Sequence, residues 1–230
     1  MSSSTSSTSS TSPAFTPLDL YCERLDASFW AEPLNAVTNG AFVLAALFAW
    51  RLARAQPGRT PWATWVLVGM LAGIGVGSFL FHTLAVTWAM WADVIPIFLY
   101  QLLFLALYLG RVARLSAWAC LGWVGVFFGA SWGFAAMPVQ WLNGSLSYGA
   151  AFLFVAGLAV YHRRSGRHEP LGLALATGLF AVSLACRSLD MQACNWLSVG
   201  THPLWHVLNA GVLYLSTRAL VLNEARLGQA

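Results

Sequence analysis

The sequence predicts an all-α, polytopic membrane protein: a bundle of seven transmembrane helices. Three observations predict it. Hydrophobic residues make up 58% of the 230 and charged residues only 9%, with a mean hydropathy of +0.65. A soluble domain covers itself with about a quarter charged residues. The apolar residues collect into seven runs, roughly 35–54, 62–83, 93–110, 116–136, 146–161, 171–189 and 202–222. About 20 helical residues cross a hydrocarbon layer about 30 Å thick. The arginines cluster between alternate runs. This composition excludes a soluble enzyme, a disordered chain and a small disulfide-built domain.

The elements follow in order. Residues 1–17 form a Ser/Thr-rich tail with nothing to bury, expected to be disordered; it has neither the basic nor the apolar part of a signal peptide. Residues 18–34 form an acidic and aromatic segment, expected on the extracytoplasmic side, with Asp19, Tyr21, Cys22, Glu23, Asp26, Trp30 and Glu32. Residues 35–222 form the seven-helix domain, and 223–230 a short cytoplasmic tail. The fifth run is short unless it begins near Asn143; six spans with a re-entrant fifth is the alternative. In the second run Gly69, Gly73 and Gly77 make a small-residue face that lets helices approach closely.

Orientation comes from the arginines. Arg51, Arg54 and Arg59 follow run one, Arg111 and Arg114 run three, Arg163, Arg164 and Arg167 run five, and Arg218 and Arg226 end or follow run seven. Only Arg24 and Arg187 fall on the other side. The positive-inside rule then places the N-terminus outside and the C-terminus in the cytoplasm, which needs an odd number of spans. With no Lys and most of its Arg in short clusters between apolar runs, the net charge of +4 marks a membrane face and not a nucleic-acid surface.

This topology brings the end of run two and the starts of runs three and seven to one level near the outer face. Ser78, His82, Asp93, His202 and His206 all lie there. Ionisable groups inside a membrane are costly and mark function. His202 and His206 are four apart on one helix face, the spacing of the two His in helical zinc motifs. Pro203 fits the first helical turn. Ser78 and His82 are likewise four apart. Three neutral imidazoles with an open fourth position suit catalytic Zn2+, which holds and acidifies a water. Asp93 would move that water's proton and Ser78 would donate to the developing oxyanion; Asp93 orienting a ligand His is the alternative. Any one of these His alone reads as an interfacial polar group; the three together with Asp93 read as a metal site. His162 and His168, beside the inner arginines, read as solvated or headgroup contacts.

Asp19, Glu23, Glu32, Asn35 and Asn39 form a second outer cluster. Its oxygens suit a hard cation such as Ca2+, or an acidic cap for the first helix. Arg187 and Asp190 read as a structural ion pair, with a substrate clamp as the alternative. Cys22 and Cys194 both fall outside, where the topology permits a bridge. Cys120 and Cys186 read as buried small residues.

The motifs Glu32-Pro-Leu-Asn35-x-x-x-Asn39, Gly-Ser78-x-x-x-His82, Asp93-x-x-Pro96 and His202-Pro-x-Trp-His206 resemble those of the alkaline ceramidase family, part of a wider group of seven-span membrane hydrolases that includes adiponectin-receptor-like proteins. The resemblance runs from about Asp19 to Leu222. It implies an intramembrane zinc amidase that cleaves ceramide to a fatty acid and a sphingoid base. It implies zinc ligands at His82, His202 and His206, with Ser78 and Asp93 assisting the water. It implies a calcium site at Asp19, Glu23 and Glu32, although Arg24 and Leu25 stand where oxygen ligands are expected. It also implies a disulfide between Cys22 and Cys194. The expected function is therefore zinc-dependent hydrolysis of ceramide or a related N-acyl lipid drawn from the bilayer, with no nucleic acid and no obligate protein partner. A seven-span receptor or sensor with a structural zinc is the alternative.

Overall fold

The computed structural model describes residues 12–227. Residues 1–11 of the Ser/Thr-rich tail and 228–230 of the C-terminal tail lie outside the described residues. Seven long helices run through the rest: α1 Pro33–Ala55, α2 Trp62–Leu84, α3 Thr87–Val112, α4 Ala117–Ala135, α5 Gly149–Arg164, α6 Gly172–Ala193 and α7 His202–Leu227. The only β pairing among the described residues is one bridge, Pro17 to Val86. Six of the spans are long and apolar enough to cross a membrane. The fifth qualifies because a 3-10 segment, Trp141–Tyr148, precedes α5 and extends it to 24 residues.

The helix α7 is more polar, yet its 26 residues are ample for a crossing. Its polar residues His202, His206, Asn209, Ser216, Thr217 and Asn223 are all buried. It is a central helix, surrounded by protein, so its faces need not be lipid-soluble. The helix α4 is the converse, with Phe127 its one buried residue and Trp118, Trp123 and Trp132 exposed.

The packing order sets the site. The helix α1 lies against both α2 and α7, and α2 packs most extensively on α3. That last contact is made by backbone. Pro96 lies inside α3 and has no N–H to offer the Ala92 carbonyl four residues back. A methyl group on Gly77 would stand 2.0 Å from that carbonyl oxygen and 3.2 Å from the Asp93 nitrogen. Only glycine admits so close an approach, and it brings Ser78, the next residue of α2, beside Asp93. Of the expected glycine face, Gly69 and Gly73 meet nothing. Gly75 makes the second close contact instead, 2.9 Å from the Asn39 carbonyl of α1 by the same measure. The face is set by Gly75 and Gly77 because α2 is pinched between α1 and α3 at its C-terminal half.

The N-terminal segment lies over this end of the bundle. Leu18 N–H donates to Ala85 O at 2.8 Å and Thr87 N–H to Thr16 O at 3.2 Å, across the left-handed turn at Ala85 that ends α2. Cys22 is disulfide-bonded to Cys194.

Substituting Gly77→Ala should destabilise the protein by about 1–3 kcal/mol or more, the range for overpacking a filled contact. Gly73→Ala should be neutral or slightly stabilising, since alanine is the better helix former. Thermal unfolding of the two variants in the same detergent checks the contrast; equal melting temperatures would refute the close-approach account.

Candidate metal centre

The expected metal ligands converge. His82 comes from the last turn of α2, and His202 and His206 from the first two turns of α7. One ligand atom from each lies within 4.8 Å of the others, and all three residues are buried. Ring centroids are 5.2 Å apart for His82–His202, 4.7 Å for His82–His206 and 4.6 Å for His202–His206.

Hydrogen bonds assign the tautomers. His82 Nδ1 lies 2.6 Å from Glu32 Oε2, so it carries the proton and donates to that carboxylate. His82 Nε2 then keeps a lone pair, and it is buried with no partner. His206 Nδ1 lies 2.9 Å from Thr38 Oγ1. That hydroxyl already spends its proton on the Leu34 carbonyl at 2.6 Å, so it accepts from His206 and leaves His206 Nε2 as the acceptor nitrogen. His202 Nδ1 is buried without a partner, and the ring stacks on Tyr21 with centroids 3.8 Å apart. Imidazole nitrogens buried without donors are costly unless something completes them. Three neutral, convergent imidazoles suit Zn2+, and a carboxylate behind a ligand His fixes its orientation and raises its basicity.

Glu32 explains much of this geometry. Besides His82 it accepts from Arg24 Nε at 2.6 Å and Asn35 Nδ2 at 3.0 Å. Burial alone pushes its carboxyl up, but the bonds from His82, Arg24 and Asn35 outweigh this and hold it below the usual carboxylate range. Arg24 also donates to the carbonyls of Asp26 and His82, both at 3.0 Å. The guanidinium thus neutralises the acidic cluster from within. Glu23 accepts from the Leu34 and Asn35 N–H groups, each at 2.8 Å, and caps the first turn of α1. Of the two readings of this cluster, the helix cap is the one the structure contains. Asp19, Glu23 and Glu32 do not share a centre: their oxygens are not gathered as a metal-holding group among the described residues, and two of the three carboxylates serve Arg24, His82, Asn35 and the α1 backbone. The calcium expectation gains no support.

Ser78 and Asp93 reach the same level. Ser78 is buried, and its hydroxyl lies near enough to the Asp93 carboxylate to interact with it. Asp93 Oδ1 is buried with no partner.

Asp190 differs from expectation. It is fully buried and accepts from Cys22 N at 3.0 Å, Thr201 N at 2.8 Å and His202 N at 2.8 Å. It joins the N-terminal segment to the start of α7 and sets the position of His202. A methyl group on Gly200, which has φ of +63°, would stand 2.1 Å from Asp190 Oδ1. Arg187 is not its ion-pair partner; its guanidinium turns to Asn143 O and Ser145. Asp190 is drawn to backbone N–H groups because two at the start of α7 and one at Cys22 offer three donors at once. His162 also departs from expectation. It is fully buried, 2.6 Å from the Tyr108 hydroxyl, with Nε2 donating to His168 O at 3.0 Å. It fastens the α5–α6 turn and does not face solvent.

Sequence reasoning missed three contributors: Thr38 behind His206, Tyr21 stacked on His202, and Glu32 as the partner of His82 in place of a cation ligand. Glu32 had a signal, being the one acid next to the first span with no arginine of that span to pair with. Thr38 had none, since a hydroxyl in a helix normally bonds its own backbone.

A family model described as Ceramidase matches residues 20–227, nine-tenths of the chain. No curated protein matches it.

Glu32→Gln should lower zinc affinity by about 10–100-fold, the usual effect of losing an outer-shell carboxylate. His82→Ala and His206→Ala should each lose the ion. Chelator competition and metal analysis of the purified variants check this; full zinc occupancy in either alanine variant would sink the ligand assignment.

Proposed function

Since the chain belongs to the ceramidase family, we propose that it is a zinc-dependent hydrolase whose substrate is ceramide or a related N-acyl lipid, split at the amide into a fatty acid and an amine. The observation that carries this reading is the buried group His82, His202 and His206, with ring nitrogens left free, beside an Asp93 oxygen that has no partner. A purely structural ion would leave that oxygen idle.

Bound to the three imidazoles, zinc supplies Lewis-acid polarisation and a water acidified towards neutral pH. The chain's own residues do the rest. Asp93 Oδ1 takes the proton of the attacking water and delivers it to the amide nitrogen, without which an amine cannot leave. In the resting site the Ser78 hydroxyl is available to donate to the Asp93 carboxylate beside it. Once Asp93 is protonated it becomes the donor, and the Ser78 hydroxyl is released to turn towards the developing oxyanion. Glu32 and Thr38 hold the proton on Nδ1 of His82 and His206, which keeps both Nε2 atoms available. The membrane and the apolar bundle favour long acyl chains at about 0.8 kcal/mol per buried methylene.

The purified zinc protein, assayed on matched N-acyl and O-acyl lipids, should release fatty acid from the N-acyl series. Release from no N-acyl lipid ends the amidase reading. Asp93→Asn should lower turnover by about 10²–10⁴-fold and Ser78→Ala by about 10²–10³-fold, both with zinc retained.

The arginine distribution supports an outside N-terminus and a site near the outer face. A single added cysteine at Ser28 should react with a membrane-impermeant thiol reagent in intact cells, and one at Gly58 only after lysis. The reverse pattern overturns the orientation.

A further inference from the structure

Arg187 is a cation with no ion-pair partner at contact distance. It lies in α6 at the level of the metal centre, and no carboxylate pairs with it among the described residues. Its contact partners are neutral, and the Asp93 carboxylate acts on it from farther off. The guanidinium donates to Asn143 O and lies 3.4 Å from Ser145 Oγ. It is also near enough to the Tyr21 side chain to interact with it electrostatically. It rests over the rings of Tyr148 and Trp205 at 5.5 Å and 5.9 Å. Two of these neighbours lead straight to the centre: Tyr21 stacks on His202, and Trp205 precedes His206.

The backbone is bent to hold this cation. Leu142 and Asn143 both take left-handed conformations, with φ of 51°, and Gly144 follows with φ of 73°. Left-handed backbone costs a non-glycine residue about 1–2 kcal/mol. The turn presents the Asn143 carbonyl to the guanidinium. Arginine has five N–H donors in a planar fork, and these contacts do not exhaust them.

Arg187 also lines a cavity of about 460 Å³ between α3 and α4. The other walls are apolar, among them Ile95, Phe98, Leu99, Phe128 and Trp132. Trp91 and Val94 of its lining stand two residues before and one residue after Asp93 in α3. An apolar groove with one cation in its wall is complementary to a long chain that ends in an anion. Hydrolysis of an N-acyl lipid makes such a molecule: the C–N bond breaks, a C–O bond forms, and the acid ionises.

We propose that Arg187 binds the carboxylate of the released fatty acid, with the acyl chain in the α3–α4 cavity. This deepens the hydrolase reading and rests on it. The two forks of the carboxylate meet the remaining guanidinium N–H groups, and the ion pair forms where water is scarce. The same cation would pull the new carboxylate away from the centre and so clear it for the next substrate.

Binding without turnover tests this. A long-chain fatty acid and the alcohol of equal length are titrated against the full-length protein in lipid nanodiscs, both zinc-loaded and zinc-stripped. Wild type should prefer the acid by about tenfold or more, the effect of a charge-assisted hydrogen bond, in both metal states. Arg187→Gln should bring the preference to within about twofold while zinc content stays full. An acid preference that survives in R187Q overturns the proposal, as does one that vanishes on zinc removal, which would make the metal the carboxylate receptor. Should R187Q fail to fold, Ser131→Trp fills the cavity from its α4 wall without touching Arg187. It should weaken acid and alcohol alike, and unchanged acid binding in S131W overturns the proposal. An active amidase whose R187Q variant keeps the preference would refute this proposal alone. A protein that hydrolyses no amide but loses the preference in R187Q would refute the hydrolase reading and leave Arg187 as an acid-binding residue.

Discussion

Three imidazoles buried at one depth impose a strict condition on everything around them. Each must hold one nitrogen's proton, or pack against a ring, in a place without water, while its second nitrogen stays free. His82 meets this through Glu32, His206 through Thr38, and His202 through Tyr21 and the anchoring of its backbone on Asp190. None of these partners belongs to the helix that carries the histidine it serves. The bundle therefore has to be assembled before any ring is oriented, and the tight approaches at Gly75 and Gly77 are the means by which α1, α2 and α3 come close enough.

The polar belt behind the rings is arranged by the same logic. A carboxylate in the low-dielectric end of a bundle is costly unless charge and hydrogen bonds answer it. Glu32 is answered by Arg24, Asn35 and His82, and Asp190 by three backbone N–H groups. Arg24 in turn spends its other donors on main-chain carbonyls. The result is a network with each buried carboxylate oxygen matched to a donor, except at Asp93, where one oxygen is left over. The exception sits at the residue proposed to move the proton.

The spans, the level of the five site residues and the pairing of His202 with His206 were legible in the sequence because each depends on position along the chain. Apolar run length and arginine placement are one-dimensional properties, and a membrane turns them into depth. The supporting contacts were not legible, because they join distant segments. Glu32 lies 50 residues from His82, and Thr38 lies 168 from His206. Arg187 and Asp190 were misread together for a related reason. Three residues apart on a helix, with opposite charges, they pair by rule. The start of α7 and the turn at Asn143 offered each a better partner, and neither could be foreseen from spacing. The glycine face was misplaced because periodicity identifies small residues but cannot tell which of them a neighbouring backbone will touch.

The strap formed by residues 16–24 closes over the histidines carried on α2 and α7, and it is tied down at Cys194 and Asp190 at the end of α6. Its anchors are synthesised some 170 residues after it. The centre therefore becomes whole only when segments from opposite ends of the described chain have met, so its completion reports the closure of the entire bundle and not of any one hairpin.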